Sequence, residues 1–443
     1  MAADVAASAA ADLAAPPAGH PDPAAPPARH TDDEIQELVR RHQSTGKALL
    51  FSLLNATDVE HSATGSWITG SSGERYLDLG SFAVFLLGHS HPAVVAAVRE
   101  QLERMAGSSR TLPSRPPTLA CAELAALAPD GLSKVMLLNS GAEVVEAAIK
   151  LARARTGRGG LAHLSGSYHG KTAGALSLTD AAGFRDRVGP LLPGVTRLPR
   201  DDAGRAAELV LATKPAAVFF EPVQGEGGVH PVSAELAGAL RAACDEVGAL
   251  LVADEIQAGL GRTGTLWAHE PLGVLPDVLL CGKALGGGVM PVSALIATER
   301  AYRPFDLDPL LHSSTFGGNP LAAAAVLAAV RVIREERVPE RAAAVGAGLR
   351  AVLDRLVAAW PRLFARVTGR GAFLGLHGTR ADTAGEMMRA ALAERVLLTP
   401  CLTAPEVLRF TPSVFLADGD LEFVDAALHR AARVAEIEAE EGP

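Results

Sequence analysis

The chain has 443 residues, 48% hydrophobic and 21% charged, enough for a large core and more than one domain. A net charge of −9 with no basic stripe disfavours nucleic-acid and membrane-surface partners. No apolar run approaches the roughly 18 residues of a membrane span. Cys121, Cys244, Cys281 and Cys401 lie far apart with no CxxC and no Cys/His metal spacing, so a cytoplasmic protein without a metal is expected.

Residues 1–30 are rich in Ala and Pro and lack the pattern of a secretory signal, so they are expected to form a disordered tail. Thr31-Asp32-Asp33-Glu34 is a capping-box signature opening a helix to about Gln43. Ser66–Thr69 and Arg75–Leu79 flank a Gly-containing turn and predict a hairpin, with helices following around 92–105 and 117–128. Strands and helices then alternate: strand Lys134–Asn139, helix Ala142–Arg155, strand Ala216–Glu221, helix Ala234–Val247, strand Ala249–Asp254 and strand Asp277–Cys281. That rhythm predicts an α/β domain with a mostly parallel sheet. A packed, alanine-rich helix from Pro320 to about Glu336 leads into an α+β segment. Its strands are expected near 372–377, 396–399 and 407–411, with a closing helix from about Asp420. Four parts result: the tail at 1–30, an N-terminal contribution to a small domain at 31–100, a large domain at 101–325 and the C-terminal small domain at 326–443.

Ligands of parallel α/β sheets bind at the carboxyl ends of the strands, and here those ends carry chemistry. An apolar run ends on Lys283 and a glycine loop, in a chain that writes most of its positive charge as Arg. A partly buried Lys shifts its pKa and forms Schiff bases, which Arg cannot do. Asp254 closes another apolar strand, where a carboxylate needs a partner: an arginine, or the protonated ring nitrogen of a cofactor. Glu221 ends a third strand and precedes a Gly-rich loop. Ser140-Gly141 opens a helix, either as an ordinary cap or as a phosphate cradle. Glu146 and Lys150 on that helix are spaced for an i,i+4 pair. Tyr168 is placed to stack on a ring. Together these are the parts needed to hold pyridoxal 5′-phosphate.

The motifs Asn139-Ser140-Gly141-Ala142-Glu143, Tyr168-His169-Gly170-Lys171-Thr172, Glu221 to Glu226, Asp254 to Gly259, Gly261-Arg262-Thr263-Gly264, Lys283 and Thr315 to Pro320 occur in this order. From about residue 45 onward the chain resembles the class III aminotransferases, pyridoxal-phosphate enzymes of fold type I, and within them the putrescine and other diamine aminotransferases. The resemblance implies a large, mostly parallel-sheet domain and a smaller α+β domain built from both chain ends. It implies that Lys283 binds the cofactor and moves the proton, with Asp254 on the ring nitrogen, Tyr168 stacked on one face and Ile256 on the other. Gln257 would approach the ring hydroxyl, Glu221 would join the cofactor site, and Ser140, Gly141 and Ala142 would hold the phosphate with Thr315 of a homodimer partner. Arg409 would bind a substrate carboxylate, Glu226 would mask it, and Lys171 and Phe82 would also face substrate.

The expected reaction is ping-pong transfer from a terminal amine or diamine such as putrescine, with a keto acid such as 2-oxoglutarate or pyruvate as the second partner. The alternative keeps the cofactor and changes the outcome: amination of a bulky carbonyl compound, decarboxylation, amino-group migration, racemisation or carbon–carbon bond formation. The apolar Phe85-Leu86-Leu87 stretch is the feature that suits a bulkier substrate.

Overall fold

The computed structural model describes residues 30–441; the expected tail, apart from His30, lies outside the described residues. Contacts divide the chain into a unit up to Val59 and a unit from Glu60 onward. In the first, Thr31 caps helix Asp32–Leu38 through the expected box: Glu34 N donates to Thr31 Oγ1, and Thr31 N donates to Glu34 Oε2. The turn Val39–Gln43 and a further helix, Thr45–Leu53, follow.

The second unit is built on a seven-stranded sheet. Its strands are β1 (Leu132–Leu138), β2 (Leu161–Leu164), β3 (Val195–Leu198), β4 (Ala217–Phe220), β5 (Leu250–Asp254), β6 (Val278–Cys281) and β7 (Ser293–Thr298), in the order β1-β7-β6-β5-β4-β2-β3. Only β7 runs antiparallel to its neighbours. Both faces are covered, and alternate residues divide between them. Val218, Phe220, Leu251 and Ala253 join one core, while Ala217, Phe219, Leu250 and Val252 join the other. This two-sided burial is why β4, β5 and β6 read as continuous apolar runs rather than alternating ones.

β2, β3 and β7 were not expected from the sequence. Two of them are four residues long and carry polar residues (His163, Thr196, Arg197), a signal too short for either periodicity to emerge. β7 directly follows the Gly-Gly-Gly-Val-Met-Pro loop, which masks its start.

Helix α1 (Gly141–Thr156) follows β1, helix α2 (Ala234–Val247) precedes β5, and the alanine-rich α3 (Pro320–Glu335) packs into the first core, capped by Asn319 with Pro at its first turn. The small domain draws on both ends of the unit. Strand Arg75–Asp78 pairs in parallel with Val396–Leu397, and Leu77 and Leu79 share a core with the closing helix Asp418–Glu441. A second antiparallel sheet comprises β8 (Phe364–Arg370), β9 (Phe373–Gly378), β10 (Thr399–Pro400) and β11 (Val407–Phe410), in the order β8-β9-β11-β10. Among the described residues no helix is long and apolar enough to cross a membrane.

Candidate active site

The carboxyl ends of β1, β4, β5 and β6 converge on a cavity of about 470 Å³. Lys283 enters it directly after β6. Its φ of 46° lies in the left-handed region, a strain of about 1–3 kcal/mol for an L side chain that is characteristic of functional positions. Burial lowers the pKa of its ammonium; Glu226 opposes this and Arg409 adds to it. The cavity therefore favours a neutral, nucleophilic amine.

Asp254, at the end of β5, is 5% exposed. Its Oδ2 lies 2.7 Å from Nδ1 of His169 and its Oδ1 accepts from Ile256 N at 3.1 Å. The expected choice between an arginine and a cofactor nitrogen omitted this imidazole. Burial disfavours the charged ring, yet the hydrogen bond and charge of Asp254 hold His169 above the ordinary imidazole range. The motif containing His169 was visible in sequence, but nothing local marked it as the partner of a residue 85 positions away.

Tyr168 lines the cavity, and its backbone N–H donates to Glu221 Oε1 at 2.8 Å; Glu221 Oε2 accepts from Gly225 N at 3.1 Å. Glu221 thus ties the Tyr168 loop to the Gly-rich loop instead of presenting a free carboxylate. Burial pushes its pKa up to about 7, the Asp254 charge also raising it. A carboxyl that titrates higher in the fold than in the unfolded chain contributes stability fully below about pH 4.5, and that contribution is lost as pH rises through about 7. The melting-temperature difference between wild type and Glu221→Gln is therefore expected to fall from about pH 5 to pH 8, since Gln does not titrate. A difference that stays constant over this range would refute the assignment.

Ser140 caps α1 by accepting from Glu143 N, and Ser140, Gly141 and Ala142, at the helix start where the first N–H groups have no partner within the helix, line the cavity. Ile256 forms the floor. A Cβ on Gly141 would lie 3.0 Å from its Cδ1 and one on Gly282 3.3 Å from its Cγ2, so both glycines make room for it. The expected Glu146–Lys150 pair does not form. Glu146 Oε1 instead accepts from Thr172 Oγ1, Gly174 N and Ala175 N, capping the short helix Ala173–Ser177 that follows Lys171. Lys171 lines the cavity mouth with its Nζ 4.1 Å from the ring centroid of Phe184.

Arg409, on β11, is fully buried and meets Glu226 through Nη1, while its Nε and Nη2 have no partner. Despite burial, Arg409 and the N–H of Leu402 hold Glu226 below the usual carboxylate range. Gln257 bridges the two rather than standing alone at the cavity. The ring of Phe82, 52% exposed, covers the guanidinium at 5.9 Å, on a segment whose Ser81, Phe82 and Ala83 all have positive φ. This turn is held by Thr411, which donates to Gly80 O, and by the buried Arg262, which reaches Ala83 O. Leu86 and Leu87 are core residues and Phe85 stacks on His89 at 3.7 Å, so Leu86 and Leu87 do not wall the cavity. Thr315 is exposed on a loop held by Arg110 and does not line the cavity of its own chain.

A desolvated amine, a buried carboxylate with its imidazole, free helix N–H groups, a tyrosine and an isoleucine floor around one cavity form a donor set that fits pyridoxal 5′-phosphate. The family model for class III aminotransferases matches residues 55–431. A putrescine aminotransferase of Pectobacterium atrosepticum is 40% identical over 364 residues, 80% of this chain and 78% of that protein. Among solved structures, the ornithine aminotransferase of Toxoplasma gondii superposes with a TM-score of 0.83 at 30% identity, covering 93% of this chain and 97% of that one. An amine transaminase from an uncultivated Pseudomonas species, in its PLP-bound form, gives 0.78 at 26% identity, covering 85% and 95%.

Proposed function

Because the chain belongs to the class III aminotransferases and works with pyridoxal 5′-phosphate, we propose that it takes the amino group from a diamine such as putrescine and gives it to a dicarboxylic keto acid such as 2-oxoglutarate. The observation that carries this reading is the buried Arg409–Glu226 pair, with two guanidinium donors left unpartnered. Masked by Glu226, Arg409 presents no free positive charge to the distal ammonium of a diamine. Released from Glu226, it offers a carboxylate-shaped fork to the keto acid.

When bound, the cofactor supplies an electron sink for the carbon that loses its proton. Asp254, with His169 behind it, would keep the ring nitrogen protonated, and Tyr168 and Ile256 would fix the ring between them. The free N–H groups at Ser140, Gly141 and Ala142 would hold the phosphate, with Thr315 of a partner copy completing the cradle in a cytoplasmic homodimer. Lys283 would hold the cofactor through its amine and, as the general base, would take the proton from the substrate carbon and carry it on its Nζ. Burial lowers its pKa, which favours the neutral amine that can act as the base.

The test is spectroscopic. Putrescine, cadaverine, ornithine, 4-aminobutyrate and glutamate are added singly to holoenzyme while its visible absorption is followed. Putrescine is expected to bleach the band of the lysine-bound cofactor, and 2-oxoglutarate to restore it. Bleaching by glutamate alone, or by none of them, would overturn the diamine assignment.

A further inference from the structure

Gln257 is fixed in one orientation by its neighbours. Its Nε2 donates to Glu226 Oε1 at 3.0 Å and its Oε1 accepts from Arg409 Nη1 at 3.2 Å. A guanidinium only donates and a carboxylate only accepts, so reversing the amide would set donor against donor and acceptor against acceptor. Arg409 Nη1 also reaches Glu226 Oε1, so the three side chains close a ring of hydrogen bonds. Gln257 is 8% exposed and is the member of that ring that lines the cavity beside Lys283 and Asp254; Glu226 and Arg409 do not line it.

We propose that Gln257 is the third member of the Glu226–Arg409 switch and sets how readily Arg409 opens to a dicarboxylate. The inference rests on the reading that a dicarboxylic keto acid binds at Arg409. In the closed arrangement the amide supports both partners. When Arg409 turns to a substrate carboxylate, the Gln257 carbonyl loses its donor, while the bond from its Nε2 to Glu226 survives. The closed state is thus favoured by one hydrogen bond that the open state lacks, and that bond enters the affinity for the keto acid but not for a diamine.

Two substitutions shift this balance in opposite directions. Gln257→Met keeps the length and removes the amide, leaving Arg409 to Glu226 alone. The KM for 2-oxoglutarate is expected to fall about 3- to 10-fold, the weight of one net hydrogen bond. Gln257→Glu places a second carboxylate on Arg409 and removes the donor to Glu226, so opening Arg409 would leave two carboxylates facing each other without their cation, and the same KM is expected to rise about 10-fold or more. A loss of local packing would move both variants the same way.

The first reading needs no turnover. Glutarate, an unreactive dicarboxylate, is titrated into holoenzyme at fixed pH and its dissociation constant read from the visible band. The expected order of tightness is Gln257→Met, wild type, Gln257→Glu, with the 2-oxoglutarate KM values in the same order. Equal constants in all three proteins, or weaker binding in both variants, would overturn the role of Gln257 and leave the keto-acid reading intact. No response of wild type to glutarate or to 2-oxoglutarate would overturn both.

Discussion

Replacement of Lys283 by alanine is expected to lower kcat by at least about 10⁴-fold, because in the mechanism proposed above it removes both the covalent anchor and the general base. The fold should not suffer. The ammonium of Lys283 is desolvated, and its residue sits at a φ of 46°, a conformation no easier for lysine than for alanine. Removing a group that is costly to bury leaves stability unchanged or raised, as is common when an active-site residue is lost. Activity and melting temperature should therefore part company. The variant should also bind cofactor through the remaining contacts without developing the visible band of a lysine-bound ring. Activity within tenfold of wild type would remove Lys283 from the mechanism.

Asp254→Asn is expected to cost about 10²- to 10³-fold in kcat, the range for deleting one preorganised electrostatic contact. The substitution is chosen because the structure can absorb it. Asp254 accepts two hydrogen bonds, from His169 Nδ1 and from Ile256 N. Asparagine can keep its oxygen on Ile256 N and turn its NH₂ to His169, provided the imidazole adopts the tautomer that accepts at Nδ1. Geometry survives and the negative charge does not. His169 loses the charge that holds its pKa up, and in the proposed mechanism the ring nitrogen of the cofactor would lose its counter-ion. Wild-type kcat in a correctly folded Asn variant would show that charge at this position is not used.

The two positions differ in how they could be read from the chain. Lys283 and Asp254 were legible because each ends an apolar run, and a strand buried on both faces is written as such a run. The cap at Ser140 and the box at Thr31 were legible for a similar reason: their hydrogen bonds close over three residues. By contrast, Glu146 was expected to pair one turn along its own helix and instead accepts three bonds from Thr172 and the first turn of the helix Ala173–Ser177. Local spacing lists the partners a side chain can reach on its own element. It does not say which competitor another element brings closer.

The sequence by itself determined the α/β rhythm, the strand ends that carry the amine and the carboxylates, and through its ordered motifs the family and cofactor. Tertiary structure decided the pairings that make those residues work: His169 with Asp254 across 85 positions, and Gln257 with Arg409 across 152. It also decided that Leu86 and Leu87 fill the core rather than wall the cavity. The physical reason for the two pairings is the same. Apolar periodicity and caps are fixed by interactions a few residues long, whereas the partner of a buried polar group is set by strand order and by which loops the sheet brings together. Once buried, such a group must find a partner among those neighbours.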